Sequence, residues 1–488
     1  MITNSKFKFI SKKINETVVL LLILNSVWMP ADCNNNKLPC KPNIIYIFTD
    51  QQSSSMMSCT GNKWLQTPAM DYIAQNGIRF TRAYTTNPVC SPARISMMTG
   101  RFPAYFNDNQ GNRVVENEGA MKLKNISEEV KLNNLAVLLK SAGYEIAYGG
   151  KKHLPSPLIP ERIGFVNISG DERDVLAQKA SEYIQKQHEK PYFLIISLIN
   201  PHDICYMAIR DFAHTKTDSL ILLKGQTELE MLDKALLKPE GISNERFFRD
   251  YCPPLPINFA PQEDEPKAIN WLINQRPFRI NAREKYTEND WRMHRWAYCR
   301  LTEVVDSQVQ IVLDALKNSK TEEQTIVFFS SDHGDMDAAH RLEHKTVLYE
   351  ESAKVPFMAM WKGHFDEGRV DSTHLVSNGL DLLPTLCDFA GVKGKADARG
   401  LSLKPVLENK KHKWRKSLGV ESEIGNMVVG ANGLKYIRYN VAGIEETLFD
   451  LNTDPFEQQP VTQIPKYNKK LTEMRRLYDL VWFPETVK

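Results

Sequence analysis

Three short apolar runs, residues 43–48 (NIIYIF), 192–198 (YFLIISL) and 325–329 (TIVFF), pass without a break straight into polar and ionisable residues. An uninterrupted apolar run of that length suits a strand buried on both faces, because a strand with one wet face would alternate. Helical spacing fills the intervals. Thr67-Pro68 offers an N-cap and first helical residue, Met70 and Ile73 supply an apolar face, and Gly77 ends the segment. Leu135, Leu138, Leu139 and Ala142 repeat the pattern before Gly143, and Leu301, Val305, Val309, Val312 and Leu316 mark one face of a long amphipathic helix. Strands alternating with helices, with chemistry-bearing residues where strands end, predict an α/β sheet covered on both faces with its site along one edge.

Residues 205–290 read as less regular, and Pro253, Pro254, Pro256, Pro261 and Pro266 suggest a long surface excursion. The basic stretch 410–416 reads as a linker. Beyond it, strands at 434–439 and 447–451 and a helix at 469–481 suggest a small α+β unit. The expected organisation is a main domain over 41–405 and a C-terminal subdomain over 417–488.

A formal charge of +3 from 62 basic and 59 acidic residues creates no global field, so nothing points to nucleic acid, and attraction for an anion must be local. Lys6, Lys8, Lys12 and Lys13 precede the apolar run 18–24, and Pro30 and Ala31 follow, so residues 1–31 read as a signal peptide. That run is too short to serve as a transmembrane anchor. An exported, periplasmic or extracellular address is therefore expected. The eight cysteines lack paired C-x-x-C units, which excludes a zinc ribbon or a dense disulfide scaffold. Cys33 invites lipidation or pairing with Cys40, and both stay open.

One cysteine stands apart. Cys90-Ser91-Pro92-Ala93-Arg94, followed by Thr99-Gly100-Arg101, carries the C-x-P-x-R pattern. The pattern resembles the signal by which type I sulfatases, of the alkaline phosphatase superfamily, have a cysteine oxidised to formylglycine. The resemblance implies an alkaline-phosphatase-like α/β fold and sulfate ester hydrolysis. The hydrated aldehyde would offer two geminal hydroxyls, one to attack sulfur and one to expel sulfate. A maturation enzyme is an implied partner, and Pro92 in the first turn should place residue 90 in the positive potential of a helix N-terminus.

Three further blocks resemble the family in order. At the end of the first apolar run, Asp50 and Gln51 fall where metal ligands are supplied, Gln51 in place of a commoner aspartate. Gly150-Lys151-Lys152-His153-Leu154 resembles G-K-W-H-L, with Lys152 replacing tryptophan; Asn200-Pro201-His202-Asp203 matches a P-H pair. In the block that opens S-D-H-G-D, Asp332 and His333 match the second pair of metal ligands. Lys345 falls at a sulfate-binding lysine and His340 at a recurring histidine, while Ala338-Ala339 replaces a glycine-acid pair. His344 has no counterpart and reads as a solvated residue.

By this resemblance Arg94, Lys151 and Lys345 would face the sulfate, His202 would protonate the leaving oxygen and His153 would take the second hydroxyl proton. The donors Asp50, Gln51, Asp332 and His333 suit a hard divalent cation; calcium is implied, with magnesium and manganese left open by the imidazole. The rival readings are a phosphonate monoester or phosphodiester hydrolase, and a glycan-binding protein whose Cys90 is never oxidised. The expected substrate is a sulfated carbohydrate or aryl sulfate. Trp271, Asn274, Arg276 and Arg279 are candidate rim contacts for the sugar.

Overall fold

Hydrophobic runs and sheet positions coincide. The computed structural model describes residues 41–107, 117–394 and 399–484. Its strands are β1 (Asn43–Asp50), β2 (Gly77–Phe80), β3 (Ala83–Tyr84), β4 (Glu145–Gly150), β5 (Val166–Ser169), β6 (Tyr192–Pro201), β7 (Thr325–Ser331), β8 (Phe357–Met360), β9 (Arg369–Asp371), β10 (Val376–Ser377), β11 (Ser417–Ser422), β12 (Gly425–Gly430), β13 (Leu434–Tyr439) and β14 (Glu445–Asp450). Eight form one mixed sheet in the order β5-β4-β6-β1-β7-β8-β2-β9, and β3 pairs with β10 apart from it. The three strands anticipated from apolar runs are neighbours at its centre, all parallel: β1 lies between β6 and β7. Register then aligns their carboxyl ends. Thr49 pairs with Ser331, Phe48 with Ser197, and Gly150 of β4 with Ser197, so Asp50, Lys151 and Asp332 leave the sheet at one level.

Both faces of the sheet are covered. Tyr46 and Phe48 point into one core with residues of helices Cys90–Thr99, Leu135–Ser141 and Leu382–Ala390; Ile45 and Ile47 point into another with helices Pro68–Gln75, Asp174–Gln185 and Glu288–Ser319. Among the described residues no helix is long and apolar enough to cross a membrane. The proposed leader, Cys33 and Cys40 lie outside the described residues.

Three local expectations need correction. Segment 205–290 is largely helical, with helices Tyr206–Asp211, Lys216–Lys224, Gln226–Leu236, Asn244–Asp250, Lys267–Asn274 and Pro277–Lys285. Ile204, Met207, Leu232, Ala235 and Phe278 bury a core of their own against Trp291, Tyr298 and Leu301. Helices this short bury one or two residues per turn, too few to establish a period in sequence. Gly77 opens β2 rather than ending a helix; a Cβ there would lie 2.3 Å from the Ala359 carbonyl oxygen. Thr67 occupies the N-cap position, but its hydroxyl accepts from the Ser58 backbone N–H at 2.8 Å instead of capping.

The strands β11 to β14 form a second, antiparallel sheet. One face packs Val428, Tyr436 and Leu448 on Leu471, Met474 and Tyr478 of helix Asn468–Trp482. The other packs Val420, Met427, Ile437 and Phe449 against Met336, Leu348 and Tyr349, which flank the segment carrying Lys345. The small sheet thus buttresses the edge where the large sheet presents its ionisable residues.

Gly150 ends β4 with φ +92°, and a Cβ there would meet the Ser197 carbonyl oxygen at 2.1 Å. A backbone atom in the adjacent strand cannot swing aside as a side chain can. Gly150→Ala is expected to destabilise the fold by about 2–4 kcal/mol, read as a lowered urea midpoint at unchanged slope.

Candidate active site

Cys90 is the first residue of its helix, and Val89 ahead of it is extended (φ −143°) and offers no side-chain cap. The first-turn N–H groups therefore leave their positive potential uncancelled around residue 90. Into this space come Lys345, whose Nζ donates to the Cys90 Sγ at 2.7 Å, His333 Nε2 at 3.2 Å and Asp50 Oδ1 at 3.5 Å. Asp50, Cys90, Asp332 and His333 offer donor atoms all within 4.8 Å of one another, and all four residues are buried. His333 donates from Nδ1 to the Gly334 carbonyl at 2.8 Å, which turns Nε2 toward the Asp50 and Asp332 carboxylates. Gly334 is obligatory here, since a Cβ would lie 2.0 Å from the Glu351 carbonyl oxygen. Two carboxylates and an oriented imidazole nitrogen fit a divalent metal ion.

Arg94 is fully buried and makes four side-chain hydrogen bonds: Nε to Asp332 Oδ2 (2.9 Å), Nη2 to Asp50 Oδ2 (2.8 Å), and Nη1 to Ser197 Oγ (2.8 Å) and the Lys151 carbonyl (2.9 Å). Its guanidinium also stacks over Phe48 at 4.9 Å. Arg94 was expected to face a sulfate; in the structure its Nε and Nη2 go to the two carboxylates and its Nη1 to Ser197 and Lys151. Lys151 Nζ lies 2.8 Å from the same Asp50 Oδ2.

These contacts set the local charges. Burial would push the Asp50 carboxyl up, but Lys151, His202, Arg94 and Lys345 outweigh it and hold it well below the usual carboxylate range. Burial and then Asp50 oppose ionisation of the Cys90 thiol, yet Lys345, Lys151 and His333 bring it down to about 6. Here the sulfur stands in for the oxygens of an oxidised residue 90, so the basin stabilises negative charge at that position. Burial followed by Lys151 pushes His202 well below its ordinary value, so the imidazole is neutral at rest. For His333 burial pulls down, but Asp332 leads the groups that outweigh it and hold the imidazole above its ordinary value.

Other expected residues fall as follows. His202 opens the turn His202–Cys205 after β6, half-buried, beside Tyr206 at 6.5 Å. His153 lies just past β4 with φ 41°. Gln51, also left-handed at φ 70°, turns its amide aside: Nε2 donates to Asp335 Oδ2 (2.6 Å) and Oε1 accepts from the Cys205 thiol (3.0 Å). His340 does not enter the cluster but stacks on Tyr349 at 4.2 Å. His344, read as solvated, is buried against Phe278 and Glu343. Between Asp337 and Thr346 six non-glycine residues have positive φ (Asp337, Ala338, His340, Arg341, His344, Thr346), so the segment delivering Lys345 holds backbone strain of the kind found at functional sites. Sequence reasoning missed Ser197, Asp335 and Cys205. Serine, aspartate and cysteine next to a strand end give no signal without knowing which groups they meet.

The family model described as Sulfatase matches residues 42–155 and 161–392, and that of N-sulphoglucosamine sulphohydrolase, C-terminal, matches 338–480. The chain belongs to the sulfatase family. It is similar to a Delta 4,5-hexuronate-2-O-sulfatase of Bacteroides thetaiotaomicron, 27% identical over 90% of this chain and 88% of the relative. A solved 2-O GAG sulfatase superposes with TM-score 0.72 at 26% identity, covering 90% of this chain and 91% of that one. A phosphonate monoester hydrolase of Agrobacterium radiobacter, 20% identical with TM-score 0.64 over 90% of this chain and 95% of its own, shares the fold. The sulfatase is thus a hydrolase of sulfate esters, and its buried Asp/Cys/Asp/His cluster is a metal-binding site of the formylglycine type.

Removing the Arg94 guanidinium would leave Asp50 and Asp332 as neighbouring buried carboxylates without their shared cation. Arg94→Ala is therefore expected to destabilise the protein by about 3–5 kcal/mol, measured by urea unfolding. A sulfate-facing arginine with little structural work would cost activity at near-wild-type stability.

Proposed function

We propose that this sulfatase removes sulfate from a sulfated carbohydrate outside the cytoplasm, using formylglycine made from Cys90 by a maturation enzyme, with one calcium ion in the site. The observation that carries the reading is the meeting of Lys345, His333 and Asp50 on a cysteine at a helix N-terminus. Asp50, Asp332 and His333 would hold the cation, and the Gln51 amide oxygen would join if it left Cys205. When bound, the cation polarises the sulfate and favours loss of a proton from the hydroxyl on residue 90. The signal-like N-terminus supports export, and the hexuronate named for the similar Bacteroides enzyme supports a sugar substrate.

The protein's own groups then divide the work. One hydroxyl of the hydrated residue 90 attacks sulfur, with Lys345 and Lys151 offsetting the oxygen charge that builds in the transition state. Arg94 acts one step back by fixing Asp50 and Asp332. His202 donates a proton to the departing alcohol oxygen; burial and Lys151 hold its imidazole neutral at rest, so it takes up that proton only once the bound sulfate ester's negative charge raises its basicity. His153 takes the proton of the second hydroxyl as sulfate is expelled and the aldehyde re-forms.

Asp332→Ala is expected to abolish stoichiometric metal binding and activity together, by metal analysis and sulfate release, whereas Gln51→Ala removes a neutral dipole and should be milder. Metal retained at one equivalent in Asp332→Ala would defeat the ligand assignment.

The two histidines separate by leaving group. His202→Ala should lose about 100-fold or more on esters of poorly acidic sugar alcohols but far less on aryl sulfates, whose phenolate leaves unaided. His153→Ala should slow both and leave sulfate attached to residue 90, visible by intact mass. Equal losses on both substrate types in both variants would reverse the roles.

A further inference from the structure

We propose that Arg279, with His344 and Glu343 beside it, forms a subsite that grips a second anionic group of the substrate, a carboxylate or a further sulfate, next to the ester being cleaved. The inference rests on the sulfatase reading above and adds the charge class of the sugar.

The four candidate rim residues separate in the structure. Trp271 packs against an apolar cluster, Asn274 and Arg276 are exposed, and the Asn274 amide is spent on the Asn270 carbonyl at 2.6 Å. Arg279, on helix Pro277–Lys285, behaves otherwise. Its side chain is only 12% exposed, yet its buried Nε finds no hydrogen-bond partner. The Glu343 Oε1 is 3.9 Å away, beyond hydrogen-bonding range. Burial leads the effects that bring the guanidinium pKa down to about 10, so it stays charged at neutral pH. A desolvated guanidinium with donors unspent is costly unless something supplies acceptors.

Its neighbours tie it to the catalytic basin. Glu343 and His344 directly precede Lys345, which holds residue 90. Cys205 and Asp335, both bonded to Gln51, are among the groups whose charge bears on Arg279. Both Glu343 oxygens also lack a hydrogen-bond partner, although Oε2 lies against His344 Nδ1. Phe278 packs on the His344 ring at 5.3 Å and fixes its plane. A guanidinium with its Nε unspent, beside a carboxylate whose Oε1 is unspent, suits a hydroxylated anion: the planar fork takes two oxygens of a carboxylate or sulfate, and Oε1 accepts from a neighbouring hydroxyl.

The test compares wild type, Arg279→Lys and Arg279→Ala on four matched sulfate esters: an aryl sulfate, a neutral sugar sulfate, the corresponding uronide, and the corresponding disulfated sugar. Wild type should favour at least one of the two acidic sugars over the neutral one. Arg279→Ala should reduce that preference in kcat/KM by about 10- to 100-fold, mainly through KM, with Arg279→Lys recovering part of it. Which acidic sugar responds identifies carboxylate or sulfate. A wild type indifferent to the second charge, or a preference that survives Arg279→Ala, would overturn the proposal. Should wild type cleave none of the four, the sulfatase reading fails separately. Calorimetry on a Cys90→Ala background then decides the subsite: tighter binding of an acidic sugar that disappears with Arg279→Ala supports it, and equal binding overturns it.

Discussion

Two carboxylates buried side by side at the end of a central sheet would repel one another and resist ionisation, and the Arg94 guanidinium makes their juxtaposition possible. It reaches Asp50 on β1 and Asp332 just past β7 with separate nitrogens, and takes Ser197 on β6 and the Lys151 carbonyl with the third. One side chain thus ties the ends of four neighbouring chain segments. It comes from the helix that begins with Cys90, so the contact fixing the carboxylates also fixes the position of residue 90 relative to them. Arginine suits this task because its charge persists when buried and its fork serves several acceptors at once.

Everything else at the edge follows from that anchor. Lys151 returns toward Asp50 because Gly150 turns the chain where no Cβ fits. Lys345 arrives on a segment of left-handed non-glycine residues, a shape that would not persist without the packing of the antiparallel sheet behind it. Cation pairs on Asp50 and around Cys90 leave the basin able to hold negative charge at residue 90, which suits both an ionised nucleophile and a sulfate oxygen.

Much of this was legible in the sequence because the signals were local. The three apolar runs became adjacent central strands, and Asp50 and Asp332 sit at their ends as the patterning required. The C-x-P-x-R block opened a helix at Cys90. What escaped was non-local. Arg94 could be placed on a helix but not aimed, so its contacts with Asp50 and Asp332 appeared only with β1 and β7 in register. Gln51 carried the right chemistry for a ligand, yet Cys205 and Asp335, far away in sequence, claim its amide. His344 lacked a period or motif to mark it as buried; Phe278, from a helix hidden in an apparently irregular segment, covers it. The same short helices concealed Arg279.

In the proposed mechanism residue 90 acts as an aldehyde and not as a thiol. The direct measurement is sulfate release from one ester by preparations made with and without a co-expressed maturation enzyme, alongside peptide mass spectrometry of residue 90 in each. Activity should rise in proportion to the fraction of Cys90 converted to formylglycine and vanish where the thiol is intact. Full turnover by enzyme carrying only unmodified Cys90 would contradict the account.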